Sequence, residues 1–124
     1  MHVSAEYQGV IHKFTIYGSE PVDCYLKIGF VGNEPRRDFP HLTPGEVCFL
    51  DLTISKQADD LRVYEIMFEL ASRLIRCGGT VRDVYSVLIG QQMSPSGTTS
   101  NKNIPLCKSI ADYVAKYLLE DSHL

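Results

Sequence analysis

The apolar pattern of this chain changes its period once, and that change constrains the fold more than any other feature. Up to Ile54 apolar residues recur at every second position, and from Asp59 onward at every third or fourth. Val10, His12, Phe14 and Ile16 would share one face of a strand. Val22, Cys24, Leu26, Ile28 and Phe30 would form a second such face, and Cys48, Leu50, Leu52 and Ile54 a third. Asp23, Tyr25, Lys27, Asp51 and Thr53 fall on the opposite side, which predicts a sheet with one wet face. Gly18 to Pro21 has turn chemistry. The fifteen residues from Gly32 to Glu46 carry three prolines and two glycines, so a long loop separates the second strand from the third.

Helical spacing then takes over. Tyr64, Met67, Phe68, Ala71, Leu74 and Ile75 follow the i, i+3, i+4, i+7 rule. Val63, Ile66 and Leu70 widen the stripe, which predicts a helix buried over much of its girth. Asp59 and Asp60 suit its N-terminal end and Arg73 and Arg76 its C-terminal end, each complementing the dipole. Gly78 and Gly79 stop it. Thr80 is placed to cap a short second helix that ends at Gly90, with Val81, Val84, Tyr85 and Leu88 inward. Pro105 suits the first turn of a third helix with a stripe of Cys107, Ile110, Ala111, Val114 and Leu118. Strands grouped before helices predict an α+β domain spanning residues 1–124. Its N-terminal antiparallel sheet has about three strands and is followed by three helices.

A chain of 124 residues, 44% hydrophobic and 22% charged, has the balance of a globular domain and the length to build its own core. A net charge of −3 lacks the phosphate-neutralising surplus of a general nucleic-acid binder. No apolar run approaches the roughly 20 residues that cross a bilayer, and the N-terminus has no signal organisation, so a cytoplasmic protein is expected. The four cysteines, Cys24, Cys48, Cys77 and Cys107, form no closely spaced pair, and no metal site or cofactor is expected of them.

Catalytic furniture is missing from the sequence. It has no GxSxG, HExxH or GxxxxGK[ST] motif. His41, in the proline-rich loop, is the one histidine placed for catalysis, and a solvated loop residue explains it as well. A non-enzymatic protein is expected.

The second half carries a resemblance. "LDLTIS" precedes the long helix; "ELASRLIRCGGTVRDVYSVLIG" gives helix, double glycine and short helix; a small-residue loop leads to "LCKSIADYVAKYLLE". This order and spacing resembles the TSCPD domain, a small module near the C-terminus of many ribonucleotide reductases that also exists free-standing. The resemblance covers roughly the last 70 residues. Of the naming motif only Cys107 carries over, the stretch here reading Pro105-Leu106-Cys107-Lys108-Ser109. The second cysteine that free-standing members often carry has no counterpart among Gln91, Gln92 and Met93. A metal site built from the family cysteines is therefore not implied, and no reductase active-site residue can be transferred.

Without catalysis the module must work by binding, and the resemblance implies a nucleotide as the natural anionic ligand. The candidate site is the loop between the last two helices. Ser94, Ser96, Thr98 and Thr99 offer hydroxyls, Gly97 a bare backbone, Lys102 a charge, and Asn103 an amide beside the free N–H groups of a helix start. Arg82 and Tyr85 on the short helix and Arg36 in the long loop would add charge and a stacking ring. The same loop also reads as a plain connector. Two roles follow: a protein that regulates or sequesters a nucleotide or cyclic nucleotide, as phage anti-defence sponges of the Thoeris type do, or an accessory module of a ribonucleotide reductase. Open sheet edges and the over-apolar first helix point to a homo-oligomer.

Overall fold

The computed structural model describes residues 8–33, 39–55 and 59–124. Its elements are β1 (Gln8–Tyr17), β2 (Pro21–Phe30), β3 (Val47–Ile54), α1 (Asp59–Arg76), α2 (Val81–Leu88), β4 (Gly97–Thr99), β5 (Leu106–Cys107) and α3 (Ile110–Glu120). The three long strands and three helices match the predicted order. Two short strands are additional, and together the five form one antiparallel sheet of order β3-β2-β1-β4-β5.

The period-two faces point as expected. Phe14, Ile16, Cys24, Leu26, Ile28, Leu50, Leu52 and Ile54 are all buried on one side, while Lys13, Tyr25, Lys27, Asp51 and Thr53 are exposed on the other. β1 and β2 pair from Gln8↔Phe30 to Tyr17↔Pro21, which places the turn at residues 18–20. Helix α3 lies on the inner face: the ring of Tyr113 stacks on Phe14 at 3.9 Å between centroids, and Tyr117 stacks on His12 at 3.9 Å. Fully buried aromatics such as Phe68 and Tyr113 each contribute roughly 1.5–3 kcal/mol of transfer free energy.

Helix α1 closes the outer edge of β3. Ser72 Oγ accepts the amide of Leu50 at 2.9 Å and donates to its carbonyl, which is the pairing a further strand would have made. Glu65 Oε2 accepts the amide of Ile54 at 2.9 Å. The helix thereby satisfies an edge that would otherwise template strand addition. It ends at Gly78, whose φ of 115° is a left-handed value that other residues avoid, while the amide of Gly79 bonds Leu74 O.

The structure corrects the reading of α1's girth. Leu61, Tyr64, Phe68 and Ile75 are its buried residues, whereas Val63, Ile66, Leu70 and Leu74 are 56%, 48%, 63% and 47% exposed. The helix packs along the β3 edge with one side turned to the core, so only that side is covered.

Candidate functional site

The third helix does not begin at Pro105. Leu106 and Cys107 form a strand, and the N-cap of α3 is Ser109, whose hydroxyl accepts the amide of Asp112 at 2.9 Å. Pro105 instead caps the strand pairing, its carbonyl accepting the amide of Thr99. This start already has an anion of its own. Asp112 is 1% exposed; its Oδ1 accepts Gly90 N at 2.8 Å, its Oδ2 accepts Lys108 N at 2.9 Å, and Lys116 Nζ lies 3.0 Å away. Burial works against its charge, but these two amides and the Lys116 ammonium together hold the carboxyl below its ordinary value. A carboxylate built into the chain therefore sits where the cradle reading places a ligand.

The loop is also more ordered than a cradle of free hydroxyls. Gly97 to Thr99 adds to the sheet, with Ile16↔Thr99 and Tyr17↔Thr98 in register. Thr99 Oγ1 donates to Ile104 O and accepts Asn101 N, while Asn101 Oδ1 accepts Asn103 N. Asn101 Nδ2 donates to Tyr113 Oη at 3.0 Å, and Tyr113 Oη lies 2.7 Å from His12 Nε2, which ties the loop tip to the core. Gly97 has φ 134°, and a Cβ there would meet Tyr17 O at 2.9 Å, so its conformation serves strand pairing.

The predicted site residues are only partly brought together. Ser94 and Ser96 line a cavity of about 410 Å³ whose charged groups are Glu20 and Asp60, an environment unsuited to an anion. Asn103 lines a different recess of about 350 Å³ beside Lys116 and Glu120. Lys102 and Thr98 are exposed at the loop surface, Arg82 is exposed on α2, and Tyr85 is half-buried against the core. Arg36 lies outside the described residues. His41 bonds Gly79 O through Nε2 at 2.9 Å and so ties the long loop to the turn after α1. Cys24, Cys48 and Cys107 are buried, and burial pushes the Cys24 thiol up to about 12, so it stays protonated and unreactive. Among the described residues no three His, Cys, Asp or Glu side chains are grouped to hold a metal, and no helix is long and apolar enough to cross a membrane.

A better-equipped hollow lies elsewhere, between β3 and α1. Its volume is about 520 Å³, within the range of small-molecule sites. Phe39, Cys48, Phe49 and Leu50 line it, Phe49 being the one of the four that is not buried, and Lys27, Arg73 and Arg76 stand on the rim against Asp51 and Glu69. Arg73 is 3.4 Å from Glu69, an exposed contact of little energetic weight. Among the described residues, no ion pair engages Lys27 or Arg76. Each of these groups also has a local explanation in the sequence: the arginines complement the helix dipole, and Lys27 belongs to the wet face. The available signal was Phe49, an aromatic at a wet-face position, which the register sets opposite Gly29.

The architecture and hollow define a small α+β module with a groove at its sheet edge. Comparison with known proteins adds one relative. Over 112 residues, 90% of this chain, the sequence is 30% identical to a segment of the vitamin B12-dependent ribonucleotide reductase of Rhodopirellula baltica, and the match covers 9% of that protein. No protein-family model matches the chain, and no solved structure matches it.

Proposed function

We propose that this chain is a non-enzymatic binding module related to ribonucleotide reductases, a divergent TSCPD-type domain. In this reading it holds a nucleotide-like anion in the groove between β3 and α1. The observation that carries the proposal is the pairing of the Phe49 ring with a rim of three cations against two carboxylates. An aromatic ring suits the flat face of a base, and arginine forks suit phosphate oxygens. The similarity to a reductase segment supports a ligand drawn from the nucleotides. Sequestration and regulation of such a ligand are both served by one groove.

The test is a thermal-shift and calorimetric panel of nucleoside triphosphates, cyclic mononucleotides, cyclic dinucleotides and inorganic phosphate. A ligand at 100 times its Kd stabilises by about 2.7 kcal/mol. Arg76→Ala should weaken the best ligand about tenfold, equivalent to about 1.4 kcal/mol, while Lys102→Ala leaves it unchanged. A flat panel sinks the proposal. Loss of binding in Lys102→Ala with none in Arg76→Ala would move the site back to the loop.

A second reading, an accessory module that docks on a reductase, is favoured by the same sequence similarity. Co-sedimentation with a purified B12-dependent reductase, with and without nucleotide, checks it.

A further inference from the structure

We propose that the exposed stripe of α1 is the contact between two copies of this chain, paired as antiparallel helices about a two-fold axis. Val63, Ile66, Leu70 and Leu74 recur at intervals of three, four and four residues on one side of the helix, and all four are about half exposed or more. A stripe of this length is unusual on the surface of an isolated small domain. The proposal rests on this helix alone and is independent of what fills the groove.

Two features select a second copy as the occupant. The first is spacing. An antiparallel pair centred between Phe68 and Glu69 sets Val63 against the partner's Leu74, and Ile66 and Leu70 against the partner's Ala71 and Met67, so every large apolar side chain meets another apolar one. Residue-to-residue reciprocity of this kind is what a two-fold interface requires. The second is charge. Asp60 lies at the N-terminal end and Arg73 and Arg76 in the last turn, so antiparallel pairing joins unlike ends and opposes the two helix dipoles, whereas parallel pairing joins like ends. The helix has 18 residues, about 27 Å of length. One stripe on a single helix of that length makes a small interface where a stable one needs roughly 1,000 Å², so the dimer is expected to be concentration dependent.

The experiment uses the full chain in sedimentation velocity across a concentration series, together with disulfide trapping. On a Cys77→Ser background, Val63→Cys combined with Leu74→Cys should give a covalent dimer on mild oxidation, while each single variant should not. Within one helix the two positions are about 16 Å apart, beyond the roughly 7 Å limit for a disulfide, so the bridge must be intermolecular. Leu70→Glu, at a position 63% exposed, should leave the circular dichroism unchanged and shift the sedimentation to monomer. A monomer at all concentrations overturns the proposal. So does trapping by Val63→Cys alone, which signals a parallel pair, or a ladder of larger species, which signals a heterologous contact.

Discussion

The ring of Phe49 lies on the α-carbon of Gly29, its cross-strand partner: a Cβ at Gly29 would come within 2.1 Å of the ring's Cε2 and 2.5 Å of its Cδ2. Gly29 carries no left-handed backbone, so what it contributes is the missing side chain. Its bare backbone lets the ring lie flat and form part of the groove floor. The ladder is irregular at the same point, shifting between Gly29 and Phe30.

Gly29→Ala is therefore expected to lift the Phe49 ring off the sheet. Overpacking of this kind costs about 1–3 kcal/mol, and ligand binding in the groove should weaken with it. Chemical denaturation and titration of the best panel ligand read the two effects separately. Phe49→Ala in the Gly29→Ala background should recover stability and not binding.

Ser72 stands in for an edge strand, and Ser72→Ala removes both of its bonds to Leu50. A destabilisation of about 1–2 kcal/mol is expected. Because the β3 edge is then less well satisfied, aggregation on heating should also rise. Light scattering during a thermal ramp checks the second effect against wild type.

Asp112 ties the turn after α2 to the start of α3, and Asp112→Asn should cost about 2–3 kcal/mol through the loss of charge-assisted hydrogen bonds. Its folded pKa lies below the ordinary carboxylate value of 3.8, so the unfolded chain takes up the proton first as acid is added. The stabilisation is complete above that ordinary value and is lost as pH falls through the folded one. Denaturation midpoints between pH 5 and 2.5 should decline steeply in wild type and more gently in Asp112→Asn.

His12 gives a separate step nearer neutrality. Its burial beneath α3 lowers the imidazole pKa from 6.5, opposed by the charge of Asp121. The folded state thus favours the neutral ring, and stability falls as pH drops below about 6.5, levelling off under the folded value. His12→Phe keeps a ring against Tyr117 and should abolish this step while leaving the Asp112 step intact. Equal pH profiles for the two proteins between pH 7.5 and 5 would refute the assignment.

Local pattern was enough for the strands, their inward faces, α1 and its glycine stop, and the Thr80 cap, which the structure completes as a reciprocal capping box with Asp83. Each of these depends on the order of residues along the chain, where side-chain period and cap chemistry act within a few positions. Three things depended on residues remote in sequence. The loop after Gly90 became strand because Gly97 to Thr99 found the edge of β1, some eighty residues earlier in the chain. The start of α3 lies at Ser109 because Asp112, buried beside Gly90, accepts the amides of both Gly90 and Lys108. The groove exists because Phe49, opposite Gly29, and two arginines of α1 meet across the β3 edge. Hydrophobic period determines which side of an element is buried when something covers it, and for α1 only the packing beside β3 decided which half of its apolar girth was covered. The half left bare is the part of this molecule that local sequence pattern assigned to the core and tertiary structure assigned to the surface.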